Sequence, residues 1–213
     1  YRLLHGAQEG APGVTLDRYG TLALLQSFHA PLPETSVIAI GGVLDAQMPG
    51  LDLVYNDRSG SGSRVGNRLA GAQRAAAKQA RVTREHGVRF HIRARHRGND
   101  PWLFLDLRTT RGAVMDEARG ASLLNLFAYT GSFTVYAADG GAKSTTSVDL
   151  SKRYLQWAER NMQLNGFKGP EHHYIPAGIR DYITALPERE IFDLAVVDPP
   201  TFSNSKSTTA AAS

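Results

Sequence analysis

An apolar run that enters a tight turn and continues into a helical pattern places the strongest constraint on the fold. Residues 123–133 read LLNLFAYTGSF, with one glycine, Gly131, in the turn. A second apolar run, SVDLS at residues 147–151, contains the acid Asp149, 24 residues beyond Asn125. Two strands joined through a helix in this order form a β-α-β unit, which carries a ligand loop after its first strand.

The same alternation of strands and helices extends over the second half of the chain. Periodicity predicts strands at 122–127, 144–149, 172–176 and 191–197, and helices at 131–139, 151–164 and 179–185. This order indicates a parallel, doubly wound α/β sheet. A complete sheet of this kind needs two or more further strands, so we expect the C-terminal strands to be missing or truncated.

We predict four segments along the chain. Residues 1–57 form a small α+β domain of the central or RNA-binding type, with a hairpin, a helix at 33–48 and a strand at 51–55. Residues 58–97 supply a basic linker, an Ala-rich exposed helix at 69–85 and a strand at 88–95. The α/β domain spans 98–206, and 207–213 form a disordered tail.

Positive charge is concentrated in the second of these segments. Residues 58–97 contain eleven Lys and Arg and one acid, Glu85, a local net charge of +10 in a chain of net charge +4. A solvated helix face is one interpretation, but charge concentrated in an otherwise acidic chain favours a surface for nucleic acid. The predicted contacts are Arg64, Arg68, Arg74, Lys78, Arg81 and Arg84.

Several classes of protein are disfavoured by what the sequence lacks. The chain has no cysteine, which excludes disulfides, Cys-based metal sites and a cysteine nucleophile. His86, His91 and His96 are spaced by five residues, which does not converge on one ion, so we expect no metal. No apolar stretch reaches a membrane span and no signal-peptide pattern is visible. We therefore expect a cytoplasmic protein without a membrane partner.

Polar residues follow three of the predicted strands, at the edge where such sheets bind ligands. Gly131 permits close backbone approach after the first strand, and Asp149 can accept hydrogen bonds from two ribose hydroxyls. The loop DPPTF starts at Asp198 after the last strand, where two prolines remove backbone donors. Neither the three glycines of a dinucleotide site nor a P-loop lysine is present. The combination indicates S-adenosylmethionine.

Three stretches, NLFAYTGSF, SVDLSKRYLQWAERNMQLNG and FDLAVVDPPTFSNSK, resemble class I S-adenosylmethionine-dependent methyltransferases of bacterial 23S ribosomal RNA. The resemblance covers roughly residues 87–206. It is closest to the guanine-N7 methyltransferase half of the K/L-type enzymes and less close to the I-type cytosine-C5 enzymes. It implies a Rossmann-like fold, a small preceding domain, S-adenosylmethionine as cofactor and 23S ribosomal RNA or its precursor as partner.

The resemblance also implies roles for individual residues. In LFLDLRTTR, the residues beside the methionine end of the cofactor are Phe104, Asp106 and Arg108. The cofactor would further contact Asn125, Phe127, Tyr129, Thr130, Gly131, Asp149 and Leu150. The target base would face Asp198, Pro199, Pro200 and Phe202. The family usually has an acid after the third strand that bonds the adenine amine; here Gly178 stands at that place, and Asp181 is a substitute.

The chemistry favours guanine N7 over other targets. Methylation at C5 of a pyrimidine normally requires a Cys thiolate, whereas N7 offers a lone pair and has no proton to remove. Because Gly178 replaces the usual acid, a second interpretation is that the chain is a non-catalytic RNA-binding relative with a degraded cofactor site. A methyltransferase of another base nitrogen is also open, although Thr201 follows Pro-Pro where those enzymes have Tyr or Phe. A protein-glutamine methyltransferase is disfavoured by the basic segment, and a nicotinamide dehydrogenase by the missing glycines.

Overall fold

The first 57 residues build a four-stranded sheet with one helix. The computed structural model describes residues 1–96 and 101–199. Antiparallel strands β1 (Arg2–Leu4), β2 (Val14–Tyr19) and β3 (Leu22–Ser27) are followed by α1 (Glu34–Gln47) and by β4 (Asp52–Asp57), which pairs parallel to β3. Every residue of β3 is buried because α1 covers one face of the sheet and the basic segment covers the other.

The basic segment differs from its prediction in the second half. A 3-10 turn (Ser61–Ser63) precedes α2 (Gly71–Lys78), which ends well before residue 85. Strands β5 (Arg81–Glu85) and β6 (Val88–Ile92) then form an antiparallel hairpin. The helix expected over 79–85 was therefore wrong: VTRE alternates buried and exposed residues, and His86 and Gly87, both with positive φ, close a two-residue turn.

The second half contains the predicted parallel sheet. Helix α3 (Arg108–Glu117) leads into β7 (Ser122–Leu126), α4 (Ser132–Asp139), β8 (Ser144–Asp149), α5 (Lys152–Leu164), β9 (His172–Pro176), α6 (Ile179–Ala185) and β10 (Leu194–Val197). The strand order is β10-β7-β8-β9, all parallel. The order reverses between β7 and β10, so the crevice for a ligand lies beyond their carboxyl ends.

One apolar core joins the two sheets. Leu24 and Val54 of the first sheet, Phe90 of the hairpin and Tyr136 and Met162 of the parallel sheet's helices pack in a single buried cluster. The hairpin therefore lies between the sheets and contacts both. The division of the chain into separate domains stays a prediction.

Side chains at the C-terminal end of α5 and its C-cap complete the edge of the hairpin. Asn165 Oδ1 accepts from the Arg89 amide at 2.8 Å, and its Nδ2 donates to the Arg89 carbonyl at 2.8 Å. Asn161 Oδ1 accepts from the His91 amide at 3.0 Å. Two asparagines one helical turn apart thus satisfy backbone groups that a neighbouring strand would otherwise pair.

Candidate cofactor and base crevice

Strand register places the predicted acids at one level of the sheet edge. Leu126 of β7 is the register partner of both Val148 of β8 and Val197 of β10. The next residues, Asp149 and Asp198, therefore flank the loop after β7 on either side. Adjacent strands are about 4.8 Å apart, so these two positions are separated by roughly 10 Å. One nucleoside-sized ligand can span that distance.

The loop after β7 has an unusual backbone. Phe127, Tyr129 and Gly131 all have positive φ, at 59°, 50° and 73°. Non-glycine residues rarely adopt this conformation, which recurs where a site holds strained backbone. A Cβ at Gly131 would lie 2.6 Å from the Cβ of Ala158, so only glycine allows the loop to pack on α5. The loop is thereby held rigidly over the first turn of α4.

Buried polar contacts support this loop from below. Asn125 is almost fully buried, and its Nδ2 donates to Thr134 Oγ1 at 3.0 Å, which in turn contacts Ser147 Oγ at 2.7 Å. Thr130 donates its hydroxyl to the Trp102 carbonyl. The side chains of Asn125 and Thr130 thus position the loop, and its backbone is the part they leave for a ligand.

Asp149 is fixed by two backbone amides. Its Oδ2 accepts from Tyr129 at 2.9 Å and its Oδ1 from Ser151 at 2.8 Å. Each carboxylate oxygen retains a further lone pair for a ligand hydroxyl. The adjacent Leu150 is 81% exposed, an apolar surface beside the carboxylate of the size an aromatic base can cover.

Asp181 folds back over Gly178 at the end of β9. A Cβ added at Gly178 would lie 3.0 Å from Asp181 Oδ2. The carboxylate of Asp181 therefore occupies the space into which a side chain at residue 178 would extend. Asp181, in the first turn of α6, thus places a carboxylate beside residue 178.

Asp198 and Asp106 bring two acids to the other side of the crevice. Partial burial, followed by the nearby Asp106 carboxylate, raises the pKa of Asp198 above its ordinary value of 3.8. Phe104 packs on Tyr129, with ring centroids 5.5 Å apart, and Tyr129 packs on Tyr154 at 4.6 Å. Sequence reasoning missed Tyr154; its signal was an aromatic residue in the first turn of the helix that follows the ribose acid.

Arg108 does not lie in the crevice with Phe104 and Asp106, the residues predicted to accompany it. Its Nε donates to His86 Nε2 at 2.9 Å, and its side chain lines a cavity on the far side of the segment that carries Phe104 and Asp106. Of the residues predicted to face the base, Asp198 and Pro199 are described, and both keep much of their surface accessible to solvent. Pro200 and Phe202 lie outside the described residues.

The predicted nucleic-acid contacts divide into exposed and buried residues. Arg64 and Arg68 in the loop, Arg74 and Lys78 on α2 and Arg84 on β5 are exposed. Arg81 is buried: its guanidinium pairs with Asp52 and donates to the Ala76 carbonyl at 2.8 Å. Arg81 therefore holds the hairpin on the first sheet and does not face solvent.

Known proteins are similar to this chain in sequence and in fold. A profile of the S-adenosylmethionine-dependent methyltransferase family matches residues 50–210. The chain belongs to this family. It is 40% identical over 200 residues to the ribosomal RNA large subunit methyltransferase K/L of Shewanella frigidimarina, and 51% identical over 126 residues to the methyltransferase K of Neisseria meningitidis. The family's cofactor is S-adenosylmethionine, and the Rossmann-like fold of the sequence prediction is confirmed.

The matches differ in how much of each protein they cover. The Shewanella match includes 91% of this chain but only 27% of the relative, and the Neisseria match 59% and 35%. A solved methyltransferase structure complexed with SAH has a TM-score of 0.81 at 26% identity, over 97% of this chain and 53% of that one. The chain thus spans about a quarter of the length of the K/L relative.

Proposed function

We propose that this chain provides the cofactor and base crevice of an S-adenosylmethionine-dependent methyltransferase that acts on a guanine N7 of 23S ribosomal RNA or its precursor, in the cytoplasm. The observation that carries the proposal is the shared register that sets Asp149 and Asp198 on either side of the strained loop after β7. The K/L names of the relatives support the choice of substrate.

The residues present fit the cofactor. Asp149 is held so that its remaining lone pairs can accept bonds from two vicinal hydroxyls of a ribose. Leu150 offers an apolar face to an adenine ring, and Asp181 can accept from its exocyclic amine. When bound, the cofactor supplies an electrophilic methyl group on a sulfonium.

The chain's own residues then position the nucleophile. Guanine N7 carries an in-plane lone pair and no proton, so the site needs alignment and exclusion of water more than a base. Ionised Asp198 can accept from the N–H donors of the guanine, which orients the ring. A base within a paired stem must flip out to reach this position, at a cost of a few kcal/mol.

The exposed cations of the basic segment provide attraction for the RNA backbone. Arg64, Arg68, Arg74, Lys78 and Arg84 lie on one continuous stretch of chain between the two sheets. Contacts between such side chains and phosphates release counterions, so RNA affinity should fall steeply as salt rises. A flat salt dependence would contradict this part of the proposal.

Two measurements test the proposed function. Calorimetric titration with S-adenosylmethionine should show that the protein binds the cofactor. In the second measurement, the protein transfers labelled methyl to 23S RNA from a strain that lacks the gene. Mass spectrometry of the nucleosides then identifies the methylated base. New 7-methylguanosine supports the proposal. Absence of heat identifies a non-catalytic RNA-binding relative, to which Gly178 points, and label on another nucleoside identifies a different base nitrogen.

A further inference from the structure

A basic cavity lies apart from the crevice. Its volume is about 770 Å³, and it is bounded by the β2–β3 turn, the β5–β6 hairpin and the start of α3. Four arginines line it: Arg18, Arg84, Arg89 and Arg108. Arg18 and Arg108 lie outside the basic segment 58–97, and Arg89 lies within it without being among the predicted nucleic-acid contacts.

Two of these arginines are placed directly opposite each other. Arg84 of β5 and Arg89 of β6 are register partners in the hairpin. Like charges at such positions destabilise a sheet. Within residues 1–96 and 101–199, neither guanidinium has a hydrogen-bond or ion-pair partner. Both guanidinium groups are therefore available to an anion from outside the described chain, and such an anion would relieve the repulsion between them.

The acid that lines the cavity does not neutralise it. Glu85 Oε1 accepts from Arg111 Nε at 2.8 Å and Nη2 at 2.6 Å, and from the Tyr136 hydroxyl at 2.9 Å. Arg111 is fully buried, so this ion pair is internal. Buried Arg111 neutralises the charge of Glu85, so Glu85 does not offset the positive charge of the arginines that line the cavity.

One stretch of chain separates the cavity from the crevice. Leu103 and Leu105 line the cavity. Between and after them, Phe104 packs on Tyr129 and Asp106 lies close enough to Asp198 to raise its pKa. The segment 103–106 therefore contributes residues to both the cavity and the crevice.

We propose that this cavity binds backbone phosphates of the RNA strand whose base enters the crevice. The inference rests on the proposed function and names a phosphate site for its substrate. Arginine presents planar donors that match two phosphate oxygens at once, and an opposed pair can hold one strand between them. Since the cavity adjoins the crevice wall, phosphates held here position the nucleotide for the crevice.

The test measures, by fluorescence anisotropy, the affinity of a fluorescein-labelled RNA stem-loop for the full chain and for the double variant Arg84→Gln/Arg89→Gln. Loss of two phosphate contacts should weaken binding on the order of tenfold at physiological salt and flatten the slope of log K against log salt by about 1.4. The variant's melting temperature should equal or exceed that of the parent, because the change removes a repulsion.

The matched control is Arg119→Gln/Arg189→Gln. Both residues are exposed in loops that lead into β7 and β10, neither lines the cavity, and the variant loses the same two charges. It should bind RNA within about twofold of the parent. Equal weakening in both variants, or no weakening in the cavity variant, would overturn the inference.

Two further arms separate the possible failures. Inorganic phosphate and guanosine monophosphate should displace RNA only at far higher concentration than unlabelled RNA; displacement by the mononucleotide at the RNA's own concentration would overturn a strand-binding site. Calorimetry with S-adenosylmethionine should be unchanged in the cavity variant. Absence of cofactor binding in the parent contradicts the proposed function, whereas unchanged RNA binding in the cavity variant contradicts only the cavity.

Discussion

Asp181 lies three residues after Gly178, and its carboxylate occupies the space into which a side chain at residue 178 would extend. Gly178 has φ of −64°, which any residue can adopt, so its backbone does not require glycine. What fills the space beside it is the Asp181 carboxylate. If this carboxylate bonds the adenine amine, cofactor affinity depends on Asp181 and not on residue 178.

Asp181→Ala should therefore weaken S-adenosylmethionine binding by roughly 10- to 100-fold, the value of a hydrogen bond to a charged group. Adding Gly178→Asp to that variant should recover much of the affinity, since the added carboxylate enters the same space. Calorimetry measures both, with Asp116→Ala on α3 as an exposed acidic control. Unchanged affinity in Asp181→Ala would show that the adenine amine is bound otherwise.

The raised pKa of Asp198 predicts how methyltransferase activity falls at acid pH, the acid limb of the pH profile. Its pKa is raised by burial and by Asp106, so the ionised acceptor is lost at a higher pH than for an ordinary aspartate. We expect kcat/KM to fall as pH drops through a value above 3.8, and Asp198→Asn to lower kcat/KM by roughly 10- to 100-fold and to abolish that limb.

Asp106→Asn provides the check on the cause. Without the neighbouring negative charge, the pKa of Asp198 should drop and the acid limb should move to lower pH. Initial-rate measurements on the RNA substrate across an acid pH series give both values. An acid limb that stays in place in Asp106→Asn, or persists in Asp198→Asn, would assign the titration to another group.

At the scale of elements, asparagine side chains at the end of α5 join it to the hairpin through hydrogen bonds to the hairpin backbone. Asn165→Ala removes both bonds to Arg89 and leaves the Arg89 amide and carbonyl without these partners at a partly buried position. We expect a loss of about 2 kcal/mol in the free energy of unfolding, measured by urea denaturation. Gln163→Ala, which removes an exposed contact to Glu159 on the same helix, should change it by less than about 0.5 kcal/mol.

Hydrogen exchange locates the effect of Asn165→Ala. The Arg89 amide should lose protection more than the amides at the centre of β7, since β7 pairs with strands on both sides. A uniform loss of protection would mean that the asparagine stabilises the whole fold and not this contact.

At the scale of the whole molecule, the shared core predicts cooperative unfolding. Leu24 of β3 is fully buried in the cluster that includes Tyr136 and Met162, whereas both tryptophans, Trp102 and Trp157, follow the hairpin in the chain. Leu24→Ala should cost about 2–5 kcal/mol and shift the tryptophan fluorescence transition together with circular dichroism. A fluorescence transition that does not move in Leu24→Ala would show that the two parts of the chain unfold as independent domains.

The second half of the chain was predictable because its signals are local. Apolar runs of strand length alternate with helices that begin at Ser151 or end at Asn165-Gly166, and such patterns specify β-α-β units. The basic segment was not predictable in the same way. Alanines from 75 to 80 favour a helix, but buried Arg81 and Thr83 pack against the first sheet, and this tertiary contact sets a strand.

The sequence alone determined the fold class and which loop and acids follow the strands at the carboxyl edge of the sheet, because strand ends, glycines and carboxylates are features of neighbouring residues. Only the tertiary structure decided that Asp181 covers Gly178, that Arg81 is buried, and that Arg84 and Arg89 oppose each other beside the crevice. Strand register and the packing of one sheet on another set these contacts, and both depend on residues far apart in the chain.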